Sequence, residues 1–147
     1  MTRRRELNMK LIVAAMLSVM CLVFTGCARG ACGGEFEDIQ WKLNSYGTPG
    51  SLQSVQGNAN ITLNFESKEK QINGSGGCNS YFGSYSITSN CELRITGLGA
   101  TERACLDAAL MQQEQNYFNI LQDAESLQVE GEELHISGSS GVLVFTR

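Results

Sequence analysis

Cys78 and Cys105 are the residues whose type and setting come closest to chemistry. Cys78 ends the uncharged run Gly74-Ser75-Gly76-Gly77 and precedes Asn79; Cys105 closes Thr101-Glu102-Arg103-Ala104-Cys105, just ahead of a helical pattern. A thiol becomes a nucleophile when a nearby positive charge or helix N-terminus stabilises its thiolate. Cys105 has Arg103 and a following helix, whereas no basic residue adjoins Cys78. The glycine run lacks the lysine of a phosphate loop and no helix follows it, so it reads as a bend or bulge. His135 is the single histidine and alternates with Leu134 and Ile136, which points it outward from a strand. A serine nucleophile would need that histidine as its base, and the chain has no G-x-S-x-G. Glu132-Glu133 forms a charged turn. Glu114 lies four residues from both Leu110 and Phe118, on or beside an apolar helical stripe, where a carboxylate needs a partner. These residues point to holding rather than to reaction. We assign no catalytic residue, no cofactor and no metal, and expect a protein that is not an enzyme.

The N-terminus reads as an address. Arg3-Arg4-Arg5 and Lys10 precede an apolar run from Leu11 to Phe24, shorter than the roughly 20 residues of a membrane span. Val23-Phe24-Thr25-Gly26-Cys27 resembles a bacterial lipobox, with Phe24 at a position usually held by leucine. Residues 1–26 are therefore expected to be a lipoprotein signal peptide, Cys27 the acylated first mature residue, and 27–35 a small, glycine-rich tether. The expected location is the cell envelope. In a Gram-negative cell, Ala28 in place of aspartate would send the protein to the outer membrane, facing the periplasm. Processing removes four of the 11 basic and one of the 15 acidic residues, leaving a formal charge of −7. So acidic a domain repels phosphate backbones, which argues against nucleic acid as a partner.

Of the six cysteines, Cys21 falls in the signal and Cys27 at the anchor. Cys32, Cys78, Cys91 and Cys105 remain, an even number in an oxidising compartment, and allow three pairings. With no C-x-x-C and one histidine, a zinc site does not fit.

The elements that must position these residues are mostly strands. Ile39, Trp41 and Leu43 alternate with polar neighbours, as do Ile61, Leu63 and Phe65. Gln71–Gly74 is a weak strand. Tyr81, Gly83, Tyr85 and Ile87 share one face of the strand after the glycine cluster; Cys91, Leu93 and Ile95 share another. Tyr81, Phe82 and Tyr85 offer either core filling or a surface patch. Gly97-Leu98-Gly99-Ala100 breaks the strand pattern. From Asp107, a plausible N-cap, the period becomes helical: Leu110, Met111, Tyr117, Phe118, Leu121 and Ala124 make one stripe. Leu127–Val129, Leu134–Ile136 and Val142–Phe145 return to strands. About eight short strands with one helix between the fifth and sixth give an α+β domain: an antiparallel curved sheet or partial β-barrel with the helix packed against it. There is no β-α-β alternation.

Trp41-x-Leu43, the Gly74–Asn79 cluster with Gly77, Gly83 and Tyr85, then Thr101 with Ala104-Cys105, then Glu114 with Phe118 and Leu121 resemble, in that order, the META/HslJ domain. The resemblance covers Phe36 to Arg147. It departs mildly after the second cysteine, where Leu106-Asp107 replaces a proline or short polar stretch. It implies a non-enzymatic envelope domain, often lipoprotein-borne, with a binding or structural role in heat-shock or envelope-stress resistance. The alternative is a secretion-pilot-like or inhibitor-type lipoprotein that binds a specific protein. Either reading makes the membrane a partner through the lipid anchor, and adds an envelope protein or an apolar ligand. The same motifs favour a structural Cys78–Cys105 disulfide over a redox pair. Cys32 and Cys91 would then be left as a second pair, with Cys91 as a small buried thiol the equal alternative.

Overall fold

The computed structural model describes residues 31–147 apart from Ala104 and Leu106. The expected signal peptide and Cys27 lie outside the described residues. A short 3-10 turn at Ala31–Gly33 leads into β1 (Gln40–Thr48), β2 (Ser51–Ser54), β3 (Ile61–Glu66), β4 (Gln71–Gly76), β5 (Ser80–Ile87) and β6 (Leu93–Ala100). The helix α1 (Ala108–Gln122) follows, then β7 (Ala124–Glu130), β8 (Glu133–Gly138) and β9 (Gly141–Thr146). The sheet is antiparallel in the order β6-β5-β4-β3-β1-β9-β8-β7, with β2 added beside β1. It curls into a half-barrel whose end strands meet at one place: Glu92 bridges Ser126, and the Leu127 amide donates to the Cys91 carbonyl at 3.0 Å.

The registers define two rims. The β4–β5 turn, the end of β6, the start of β7 and the β8–β9 turn lie on one rim, here called upper, with the β1–β2 turn. The β3–β4, β5–β6 and β7–β8 turns lie on the lower rim. The helix packs across the upper opening, touching β4, β6, β8 and β9. Asp107 caps it, accepting from the Ala109 amide at 2.8 Å. The N-terminal segment closes the lower opening. Phe36, Phe65 and Tyr85 meet edge to face there, with centroids 5.2 Å apart for the first pair and 4.9 Å for Phe65 with Tyr85. The fully buried Trp41 indole donates to the Phe36 carbonyl at 2.9 Å. Glu37 pairs with Lys70 at 2.6 Å and accepts the Tyr85 hydroxyl, and these two bonds, Lys70 first, hold its carboxyl below the usual range.

The expected fold class is the one observed, with the helix stripe, one further strand and the ends of two strands differing in detail. β2 escapes sequence reading because all four of its residues are exposed, so it carries no apolar alternation. β1 runs on to Thr48, through what reads as a loop, and the chain reverses at Pro49-Gly50, with Gly50 at φ +82°. β6 continues through Gly97–Ala100 instead of breaking, because a bulge shifts its register with β5 between Phe82 and Ser84, at Gly97 with φ +63°. The buried helix face is Gln113, Glu114, Tyr117, Ile120 and Leu121, while Met111 is exposed and Ala124 begins β7. The stripe is rotated because the helix buries two polar side chains that hydropathy assigns to solvent. Gln113 accepts from the Gln56 amide at 2.7 Å; the partners of Glu114 are described below.

Tyr81 and Tyr117 join sheet to helix in the core. Tyr81 donates to the Thr62 carbonyl at 2.8 Å, so the 2.6 Å contact between the two hydroxyls has Tyr117 as donor. Burial raises both hydroxyls above the ordinary tyrosine value of 10. In the unfolded chain both ionise near 10, whereas the folded state keeps their protons. Stability therefore falls as pH rises past 10, by about 1.4 kcal/mol per pH unit for each tyrosine. Urea midpoints measured between pH 9 and 11.5 should show this fall, and Tyr117→Phe should make it shallower without abolishing it, because burial also raises the hydroxyls of Tyr46 and Tyr85.

Candidate functional site

The conspicuous sequence motifs converge on the upper rim. The turn joining β4 to β5 is only Gly77-Cys78-Asn79, and Gly77 takes φ +112°, where a side chain is strained. The Gly76 amide donates to the Asn79 carbonyl at 2.7 Å. This folding aims successive N–H groups in one direction, and Glu114 of α1 receives them. Its Oε1 accepts from the amides of Cys78 at 3.1 Å and Asn79 at 2.7 Å, and its Oε2 accepts from Asn79 Nδ2 at 2.6 Å. The anion nest that a glycine-rich turn can make is thus filled by the protein's own carboxylate.

Asn79 carries the network onward. Its Oδ1 accepts from Thr101 Oγ1 at 2.9 Å and from the Arg103 amide at 2.7 Å, and its Nδ2 reaches the Arg103 carbonyl at 3.3 Å. Thr101 in turn accepts from the Ser80 amide at 3.3 Å. Asn79 and Glu114 are both buried. The disulfide Cys78–Cys105, with Cα atoms 5.8 Å apart, covers this cluster. One covalent and six hydrogen-bonded links therefore tie the turn to the end of β6, to the segment before the helix, and to the helix itself, and Ser80 at the start of β5 adds a seventh.

Gly76 is set by close approach. A Cβ placed there would lie 2.6 Å from both Glu114 Oε1 and Phe118 Cζ. Gly76→Ala should force the helix off the turn and lower stability by about 1 to 3 kcal/mol, the usual range for overpacking. A chemical denaturation midpoint checks this; an unchanged midpoint would show that the helix can shift without loss.

The sulfurs of Cys78 and Cys105 and one oxygen of Glu114 lie within 4.8 Å of one another. As arranged, this trio is not a set of open ligands: the sulfurs are bonded together, and both carboxylate oxygens accept N–H donors. A thiolate reaction would likewise begin only after reduction. The geometry suits a clamp.

Of the residues read from sequence, Gly77, Cys78, Asn79, Thr101, Cys105 and Glu114 come together here. Trp41 and Tyr85 lie instead toward the lower rim, and Gly83 in mid-sheet opposite Ile72. Cys32 pairs with Cys91, Cα atoms 5.3 Å apart, at the seam where the sheet's ends meet. Tyr81 and Tyr85 are buried, so they form no surface patch; Phe82 alone is exposed, its ring lying over Gly99. His135 is half-buried, 3.2 Å from Glu133. The main chain of Arg103 and the pair Tyr81–Tyr117 escaped sequence reading. The first acts through backbone atoms, and for the second a buried hydroxyl pair leaves no trace in apolar periodicity.

Among the open cavities in the described residues are two that flank these packed groups. One, about 440 Å³, lies on the upper rim between the β1–β2 hairpin and the helix, lined by side chains that include Tyr46, Gln53, Asn116, Asn119, Ile120 and Ser140. The other, about 500 Å³, follows the seam between β6 and β7, from Glu92 and Arg94 to Glu125 and Ser126.

Fold and clamp together define a class: a disulfide-braced α+β half-barrel with its helix locked onto a glycine turn. The META domain model matches residues 34–147, and the chain belongs to that family. An NMR structure of a protein from Burkholderia xenovorans is similar at 26% identity and a TM-score of 0.62, over 76% of this chain and 83% of that one. A second NMR structure aligns at 21% identity and a TM-score of 0.56, over 73% of this chain and 86% of the other. A DUF4847 family protein from Bacteroides vulgatus shares the fold at 10% identity, with a TM-score of 0.53, over 76% of this chain and 93% of that one. No curated protein matches the chain.

Proposed function

We propose that this META-domain protein is a non-enzymatic lipoprotein of the cell envelope, acylated at Cys27, that binds or braces other envelope components during envelope or heat stress. The observation that carries this reading is the use of its chemistry-bearing side chains. Glu114, Asn79, Thr101 and four cysteines are all engaged with one another or with backbone. None of them is left facing a cavity as an unpartnered acid, base or nucleophile. The space under the helix is filled by Tyr117, Ile120 and Leu121, which supports a packed support module over a carrier of lipid chains. The upper-rim cleft favours a second form of the same reading, a pilot-like or inhibitor-like lipoprotein that meets one protein partner there.

Two experiments test this. Cys27→Ala should move the protein from the membrane fraction to the soluble fraction; retention in membranes would count against acylation. Cross-linking in intact cells should capture envelope proteins through the upper rim. A set of cross-links spread evenly over the surface would remove the case for a specific partner.

A further inference from the structure

We propose that the outer face of the sheet around Phe82 is a stacking platform for a neutral glycan chain, with the phenyl ring receiving one face of a pyranose. The proposal stands apart from acylation of Cys27 and from the upper-rim cleft. Phe82 of β5 is 64% exposed, on the face opposite the buried Tyr81, Gly83 and Tyr85. Its ring is laid against the sheet. Its partner on β6 is Gly99, and a Cβ built there would lie 3.0 Å from Phe82 Cζ, 3.4 Å from Cε2 and 3.5 Å from Cε1. At that distance, a point in the ring plane beyond Cζ would leave both Cε atoms farther off. The ring therefore lies face down on Gly99, and its opposite face is turned to solvent.

What borders the ring selects the ligand. Side chains two residues apart on a strand share a face, which places Ser80 and Ser84 on either side of Phe82. Asn73 is its partner on β4, and Thr96 of β6 pairs with Ser84. Asn73 Nδ2 donates to Glu66 Oε1 at 2.6 Å, which holds the carboxamide on this face. Hydroxyls and carboxamides both donate and accept, as the hydroxyls of a sugar do. The face of an aromatic ring is negative and attracts weakly positive C–H groups; a pyranose carries C–H groups on its face and hydroxyls at its edge. Ring and border thus match the two kinds of sugar surface. Charge matches as well. Phe82 and the four residues that border it, Ser80, Ser84, Asn73 and Gly99, are uncharged, on a chain of formal charge −4, so a neutral ligand escapes the repulsion an anionic one would meet. Packing on Gly99 supports the β5–β6 pairing, but that contact uses only one face of the ring.

NMR titration of the full-length protein in detergent micelles with chitohexaose and with cellohexaose tests this; the pair shows whether an acetamido group is read. With at least one of them, amide shifts should cluster at Asn73, Ser80 to Ser84, Thr96 and Gly99. They should saturate with a Kd of about 1 mM, since an open platform touches one side of a sugar only. Intermolecular NOEs should join the Phe82 ring to sugar C–H protons. Phe82→Ala changes an exposed side chain, so it should keep the fold and weaken binding about tenfold. If that variant unfolds, the NOEs of the natural protein decide. No shifts with either oligosaccharide, shifts centred on another surface, or unchanged affinity in folded Phe82→Ala would overturn the platform. Cross-links from this face to a protein in cells, with no sugar-induced shift, would assign Phe82 to a protein contact and overturn it too. Each of these failures leaves the envelope reading and acylation of Cys27 standing.

Discussion

Replacing Glu114 with alanine is expected to cost about 4 kcal/mol of stability, the largest effect of any single side chain outside the apolar core. Three N–H groups lose a charged acceptor at once: the amides of Cys78 and Asn79 and the Asn79 carboxamide. Bonds to an ionised acceptor contribute about 1.5 to 3 kcal/mol each, and buried donors left without a partner carry their full desolvation cost. Water entering the vacated space recovers part of that, which keeps the total below the sum. Glu114→Gln should cost about half as much. It keeps one carbonyl acceptor for the turn, but its amide then faces a donor where an oxygen stood. The urea midpoint should fall with the slope unchanged, and exchange of the Cys78 and Asn79 amides should quicken by orders of magnitude. A loss under about 1 kcal/mol for the alanine variant would mean that the clamp is decoration.

Cys32→Ala with Cys91→Ala should cost about as much, by a different route. The bridge closes a loop with a sequence separation of 59, against 27 for Cys78–Cys105. Chain entropy assigns about 4 kcal/mol to the longer loop and about 3.5 kcal/mol to the shorter. Because this stabilisation acts through the unfolded chain, the variant's denaturant slope should rise as its unfolded state expands. The folded domain should loosen locally at the seam, where the Leu127 amide bonds to the Cys91 carbonyl at 3.0 Å. Unchanged exchange at Leu127 together with an unchanged midpoint would show that the Glu92–Ser126 bridge holds the sheet's ends without help.

How far the molecule can be read from its residues follows from which forces leave a periodic mark. Strands with one buried face announce themselves, as Trp41 and Leu43 or Tyr81 and Tyr85 do, and so the half-barrel and its single helix were legible. β2 was not, because pairing through backbone alone imposes no side-chain alternation. β6 was cut short at Gly97 because a bulge and a break use the same residue. The helix face was rotated because Gln113 and Glu114 are buried for their hydrogen bonds rather than for their hydropathy. At the clamp, the need of a carboxylate on an apolar stripe for a partner was visible at Glu114. The reason for Gly76 was hidden. It lies in a contact across 38 positions of sequence, with Glu114 Oε1 only 2.6 Å from where a Cβ would be, and no local rule carries that information.

The central claim is that the residues best suited to chemistry are spent on holding the domain closed. Peptide mapping of the unreduced protein, after alkylation of any free thiols, tests it most directly. The account predicts two cross-linked fragments, one joining Cys78 to Cys105 and one joining Cys32 to Cys91, with neither pair alkylated. Recovery of Cys105 as an alkylated thiol, or of Cys78 bonded to Cys32 or Cys91, would contradict it.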